Sequence, residues 1–201
     1  MTYNYSYKII TVGNANTGKT SLANKFMNDT FFDNSTSTIG VDYFTKNILF
    51  NNLIFKIQIW DTAGLDVFRC IIRSYYRQAV GVLLCYDIND LKSFNDLSEW
   101  LTELKKEYNN TVIFYIIGTK SDLGKRKVQK DLADNYASEN NMKHFEISSV
   151  TGKNINEVFL SLVKDIYEKY PNITDINGIG TFPIDNIINV SSDRNFINKC
   201  C

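Results

Sequence analysis

The chain has 201 residues, enough for one well-buried domain with a tail and too few for two comfortable domains. Lys and Arg number 22 and Asp and Glu also number 22, so no net field draws in nucleic acid or anionic lipid. No apolar run approaches the length of a membrane span, and residues 1–7 lack the basic and apolar regions of a signal peptide, so a cytosolic protein is expected.

Residues 8–21, Lys-Ile-Ile-Thr-Val-Gly-Asn-Ala-Asn-Thr-Gly-Lys-Thr-Ser, contain Gly13-x-x-x-x-Gly18-Lys19-Thr20, the spacing of a phosphate-binding P-loop. Ile9, Ile10 and Val12 predict a short buried strand, and Ser21 to Met27 a helix, so both glycines fall at a strand-to-helix turn. Such a turn aims successive N–H groups of Asn14, Ala15, Asn16, Thr17, Gly18, Lys19, Thr20 and Ser21 at a polyphosphate, where the helix N-terminus adds positive charge. Lys19 is expected to reach the β- and γ-phosphates and the Thr20 hydroxyl to ligate Mg²⁺.

Residues 28–40 are polar and turn-rich and predict an exposed loop. Val41 to Phe50 and Leu53 to Trp60 predict two strands joined by Asn51-Asn52, a pair suited to the positive φ values of an antiparallel hairpin. Leu65 to Gln78 predicts a short irregular helix and Val80 to Tyr86 a buried strand. Leu91, Phe94, Leu97, Leu101, Leu104 and Tyr108 mark one apolar helix face. Val112 to Ile117 predicts another buried strand, Val128 to Asn140 a polar helix and Lys143 to Ile147 a strand. A last helix carries Ile155, Val158, Phe159, Leu162, Ile166 and Tyr170, and Pro171 stops it. The alternation predicts a six-stranded, mostly parallel α/β sheet with one antiparallel strand, helices on both faces, and ligand loops at the carboxyl ends of the strands. The domain is expected to span residues 1–170, with residues 171–201 a flexible tail.

Three further loops converge on the P-loop. Thr38 ends the polar loop, and Asp61-Thr62-Ala63-Gly64 follows the second hairpin strand, where a carboxylate can hold a metal-bound water and Gly64 lets an N–H approach a terminal phosphate. In Thr119-Lys120-Ser121-Asp122, the Asp122 carboxylate offers acceptors to two adjacent N–H donors of guanine that adenine does not present. GTP and GDP are therefore preferred over ATP. His144 predicts an ordinary strand residue.

With these loops, residues 1–170 resemble a small GTPase of the Ras superfamily, and specifically its Rab branch. Ile39-Gly40-Val41-Asp42-Tyr43, Lys56-Ile57-Gln58-Ile59-Trp60, Tyr75-Tyr76-Arg77, Cys85-Tyr86-Asp87-Ile88 and the terminal Cys200-Cys201 are similar to stretches of Rab proteins. The resemblance implies that Thr38 ligates Mg²⁺ and senses the γ-phosphate, that Phe31 packs on the guanine, and that backbone groups of Ser148, Ser149 and Val150 lie by its carbonyl. It implies an effector surface around Ile39, Tyr43, Trp60 and Tyr75. It also implies an exchange factor, a GTPase-activating protein, effectors, a prenyl escort protein and a dissociation inhibitor as partners of a monomeric domain that does not bind nucleic acid. The expected role is vesicle traffic, on the cytosolic face of intracellular membranes.

Departures from the family pattern carry functional weight. Leu65 stands where Rabs have the glutamine that orients the attacking water, and an isobutyl group cannot position a nucleophile, so slow hydrolysis is expected. Ala15 and Asn16 add bulk beside the γ-phosphate and push the same way. Asp66 and Val67 also differ from the usual sequence, which favours natural divergence over an engineered change. Thr119 replaces an asparagine, which predicts a weaker tether to the P-loop, and Val150 replaces a lysine. The rival reading is a persistently GTP-bound, membrane-tethered scaffold; a P-loop kinase is disfavoured because no basic lid segment is found.

Of the four cysteines, Cys70 and Cys85 sit singly among apolar residues, which is no disulfide framework. One lipid anchors a protein only marginally, and the tail beyond Pro171 has no basic cluster to act as a second signal. Cys200 and Cys201 would supply two lipids, and the resemblance makes these geranylgeranyl groups.

Overall fold

The computed structural model describes residues 3–31, 38, 40–64, 74–108 and 112–170. In chain order the elements are β1 (Tyr5–Val12), α1 (Lys19–Asn28), β2 (Val41–Phe50), β3 (Leu53–Thr62), β4 (Gly81–Asp87), α2 (Leu91–Asn95), α3 (Leu97–Glu107), β5 (Ile113–Thr119), α4 (Lys130–Glu139), β6 (Lys143–Glu146) and α5 (Ile155–Lys169). The sheet order is β2-β3-β1-β4-β5-β6. All neighbours run parallel except β2 and β3, as the sequence predicts.

The antiparallel pair follows from two side chains. Asn51 and Asn52 adopt φ of 50° and 60°, the left-handed conformation that a two-residue hairpin of this twist needs at both positions. Phe50 therefore pairs with Leu53, and every later pair, including Tyr43 with Trp60, is fixed by that register. The parallel strands need no such turn, because helices carry the chain back between them.

The apolar runs of β1, β4 and β5 are buried on both faces, and each face meets its own helices. One layer packs α1 and α5 against the sheet through Leu22, Phe26, Val158, Phe159 and Leu162; the other packs α2, α3 and α4 through Phe94, Leu97, Trp100, Leu104 and Ala133. Phe26 and Phe159 stack with centroids 3.7 Å apart, and truncating such a ring costs on the order of 3–5 kcal/mol.

Two expectations are adjusted. The apolar face from Leu91 to Tyr108 is divided between α2 and α3 at Asp96, whose N–H is shared by the carbonyls of Lys92 and Phe94. Of the helix predicted over 65–78, residues 74–76 form a helical turn and residues 65–73 lie outside the described residues. The tail over 171–201 lies outside them too. No described helix is long and apolar enough to cross a membrane.

Candidate nucleotide site

The P-loop leaves β1 at Gly13, where φ is 141° and a Cβ would stand 2.1 Å from the carbonyl oxygen of Cys85 on β4. Only glycine fits there. Gly18, at φ 82°, is the residue from which α1 starts. Lys19 is buried and donates to the carbonyls of Gly13 at 2.8 Å and Asn14 at 2.7 Å, so its ammonium lies along the inner wall of the loop. Burial pushes the Lys19 pKa down, and the nearby thiol of Cys85 and carboxyl of Asp61 push it back. Thr17 closes the loop from the other side, its hydroxyl donating to the Asn14 carbonyl at 2.8 Å. Ala15 and Ser21 are half-buried and Asn16 is exposed at φ 63°, a conformation asparagine tolerates better than most residues.

Beside Lys19, three oxygens from separate segments meet. Thr20 donates its hydroxyl to Asp61 Oδ2 at 2.5 Å, and the Thr38 hydroxyl lies 2.9 Å from that of Thr20. Because the single Thr20 proton points at the carboxylate, Thr38 is the donor in this pair. Asp61, at the end of β3, is fully buried and takes a second hydrogen bond from Thr11 at 2.8 Å. Burial raises its pKa, while the hydrogen bonds from Thr20 and Thr11 and the charge of Lys19 act against that rise. Two hydroxyls and a carboxylate form a hard, all-oxygen donor set, which fits Mg²⁺ with retained waters and would suit zinc or copper poorly. Gly64 seals this side of the loop: a Cβ there would stand 2.3 Å from the Ala15 nitrogen and 2.4 Å from the Asn14 carbonyl carbon.

On the other side, β5 ends at Thr119, and its hydroxyl lies 2.7 Å from the Thr17 carbonyl and 3.0 Å from the Tyr86 carbonyl. The hydroxyl thus reaches the P-loop within hydrogen-bond distance, and its single proton is shared with the Tyr86 carbonyl. Lys120 sits at φ 60° and its ammonium is 2.7 Å from Asp87 Oδ2. Asp87 Oδ1 in turn accepts from the N–H and the side-chain amide of Asn89, whose Nδ2 is also 3.3 Å from the Lys120 carbonyl. Asp122 is exposed in the turn that follows, as is Val150, while Ser148 and Ser149 are buried in the β6–α5 loop and Phe31 is partly exposed. His144 fills a structural slot, with Nδ1 2.7 Å from Asp134 and Nε2 3.0 Å from the Tyr86 hydroxyl.

The predicted aromatic surface is contiguous where it is described: Tyr43 meets Trp60 at 5.1 Å and Trp60 meets Tyr75 at 5.4 Å between ring centroids. Below them, Lys8 on β1 lies 4.2 Å from the Trp60 ring centroid and donates to the Arg77 carbonyl. Ile39, Leu65, Cys200 and Cys201 lie outside the described residues.

Sequence reasoning missed Thr11, Asp87 and Lys8, and it missed the side-chain partners of Asn14. Asp87 had a signal, an acid at the carboxyl end of a buried strand. Thr11 and Lys8 had none, because their partners lie on β3 and beyond and become visible only once the register Thr11 to Asp61 is known.

A P-loop on a central strand, with a hydroxyl and carboxylate cluster on one flank and a lysine loop on the other, in a sheet of this order, is the architecture of a small GTPase. The Ras family profile matches residues 8–168. The chain is 38% identical to the GTP-binding protein YPT1 of Saccharomyces cerevisiae, over 83% of this chain and 81% of that one. It is 40% identical to Ras-related protein Rab-4A of Danio rerio, over 84% and 79%. It is 34% identical to the GTP-binding protein ypt3 of Schizosaccharomyces pombe, over 99% and 97%. The chain belongs to the Ras family, as a Rab-family small GTPase.

Proposed function

We propose that the chain is a Rab-type switch that binds GTP or GDP and regulates vesicle traffic, with slow intrinsic hydrolysis. The observation that carries this reading is the 2.9 Å approach of the Thr38 hydroxyl to Thr20, which itself donates to Asp61 beside Lys19. A residue from the loop after α1 is thereby held against the P-loop helix, the closed arrangement that a γ-phosphate would favour. Thr20, Thr38 and, through water, Asp61 would hold Mg²⁺, which when bound neutralises phosphate charge. The P-loop N–H groups and Lys19 bind the terminal phosphates, and Asp122, Lys120, Thr119, Phe31 and the Ser148–Val150 backbone hold the guanine. Gly64 offers its N–H to the γ-phosphate, so Thr38 and Gly64 both lose their anchor when that phosphate leaves.

Leu65 has no donor or acceptor for the attacking water, so the chain relies on a GTPase-activating protein for turnover. Exchange factors load the nucleotide, effectors read Ile39, Tyr43, Trp60 and Tyr75 in the closed state, and two geranylgeranyl groups on Cys200 and Cys201 attach the tail of residues 171–201 to membrane. An escort protein presents the chain for prenylation and a dissociation inhibitor recovers it.

Equilibrium binding of fluorescent GDP, GTP and ATP with and without Mg²⁺ tests the core of this reading; equal uptake of ATP sinks it. Single-turnover hydrolysis by the wild type and by Leu65→Gln tests the slow step, with the variant expected to be faster by about tenfold or more. A second reading, a scaffold held permanently with GTP, is favoured by Leu65, Ala15 and Asn16. Freshly purified protein carrying mostly GTP supports the scaffold, and mostly GDP supports the cycle. Membrane recovery of a tagged chain that survives replacement of Cys200 and Cys201 by serine would refute the lipid anchor.

A further inference from the structure

Asn14 follows Gly13 in the P-loop, yet its side chain turns to α3 instead of the loop's interior. Trp100 Nε1 donates to Asn14 Oδ1 at 2.8 Å, and Asn14 Nδ2 donates to Asp96 Oδ2 at 2.6 Å. An indole can only donate and a carboxylate can only accept, so the two partners fix which way the amide faces. Asp96 stands at the N-cap position, just before α3, but its carboxylate does not cap that helix; it holds Asn14 and the ammonium of Lys92, also at 2.6 Å. The main chain of the same asparagine bears further contacts of the loop. Its carbonyl receives Lys19 and Thr17, and Gly64 packs against it.

We propose that Asp96, at the junction of α2 and α3, and Trp100 of α3, acting through the side-chain amide of Asn14, are positioning residues for the P-loop. They hold the carbonyl that seats Lys19 and the backbone on which Gly64 closes, so the junction between α2 and α3 governs how tightly the nucleotide is kept. This rests on the reading that the loop binds a guanine nucleotide. A partner that displaces the junction would loosen the nucleotide without touching it.

The test exploits the polarity of the clasp. Asn14→Asp sets two carboxylates face to face across the present 2.6 Å hydrogen bond; among the described residues, Lys92 of α2 meets the Asp96 carboxylate and Lys19 of α1 meets the position 14 carbonyl. Like charges so placed cannot both ionise at little cost, so the effect must grow with pH. Release of fluorescent GDP from Asn14→Asp is expected to be at least about tenfold faster than wild type at pH 8, with the gap narrowing towards pH 5.5. Asp96→Asn alone, whose new amide oxygen still accepts from Asn14, should stay within about threefold of wild type. The double variant should recover at pH 8, because the carboxylate at position 14 then accepts from both Trp100 and the amide at position 96.

An Asn14→Asp rate equal to wild type at pH 8, or a double variant as fast as Asn14→Asp, overturns the proposal. Should Asn14→Asp fail to fold, folding and binding by the double variant support it and failure of both overturns it. A wild type that takes up no guanine nucleotide sinks the functional reading by itself. The clasp is then judged by the melting temperatures of the same variants over the same pH range, where the same pattern of loss and recovery supports it and its absence overturns it.

Discussion

The hydroxyl of Thr119 donates to the main-chain carbonyl of Thr17 across 2.7 Å, joining two loops 102 positions apart in sequence. Both residues are buried, so removing the donor leaves an acceptor that water reaches poorly. Thr119→Val should therefore cost about 1–3 kcal/mol in the seat of the P-loop, seen as GDP release faster by roughly tenfold. Thr119→Asn retains a donor and should stay near wild type. Stopped-flow release of labelled GDP distinguishes the two; equal rates for the valine variant and wild type would show that the tether does not hold the loops.

The oxygen cluster at Thr20, Thr38 and Asp61 gives a second expectation. Chelating divalent metal from the wild type should speed GDP release by about tenfold or more, while Asp61→Asn, which removes the only carboxylate charge in the trio, should already be fast and respond little to chelator. The same variant should melt no lower than wild type in the absence of nucleotide, because it also removes a charge whose burial is unfavourable. A large chelator response in Asp61→Asn would exclude it from metal binding.

Lys8 makes stability depend on pH in a window set by its burial. At 7% exposure its pKa is pulled from 10.5 down to about 8. Below about pH 8 both folded and unfolded chains carry the proton and the burial penalty is complete. Between about 8 and 10.5 the unfolded chain binds more protons than the folded one, so this contribution to stability rises with pH. Cys85 and the buried tyrosines, whose pKa values burial raises, act in the opposite sense at the alkaline end, so the comparison is with Lys8→Met, in which those groups are unchanged. From pH 7.5 to 9.5 the stability of wild type relative to Lys8→Met should improve by roughly 2 kcal/mol in urea unfolding. Parallel pH profiles would show that Lys8 is not desolvated under Trp60.

Gly64 has no room for a methyl group while it lies on Asn14 and Ala15. Gly64→Ala forces the two backbones apart, which should leave GDP affinity within about threefold and lower the GTP to GDP affinity ratio by about tenfold. Titration of both nucleotides measures this. An unchanged ratio would mean that close approach of Gly64 is not part of sensing the last phosphate.

The fold was legible because its signals are local or periodic. Strands buried on both faces read as unbroken apolar runs, and Asn51-Asn52 announces a hairpin whose positive φ angles the structure reproduces. The division of the helical face at Asp96 was not legible, since Leu91, Phe94, Leu97 and Leu101 keep helical spacing across it. The residue at the break is engaged in a tertiary contact, its carboxylate accepting from Asn14 82 positions away. In the site, Lys19, Thr20, Asp61 and Gly64 announce themselves by motif, and Thr38 through resemblance. Thr11, Asp87, Asp96 and Trp100 act through pairings between elements far apart in sequence, which no spacing rule encodes. The contact of Thr119 with Thr17 has the same origin, because its length depends on how closely β5 passes the P-loop.

The order of the strands also assigns a direction to whatever lies across their carboxyl ends. Asp61 ends β3, the P-loop leaves β1, Asp87 ends β4, Lys120 follows β5 and Ser148 follows β6, at successive steps of about 4.8 Å across the sheet. On the proposed function, a nucleotide spanning this row would point its phosphate tail at the hairpin edge and its base at the opposite edge. Departure of one phosphate would then be felt beside Tyr43 and Trp60 first, with the grip on the base undisturbed, so that the molecule could change its face without letting go of its ligand.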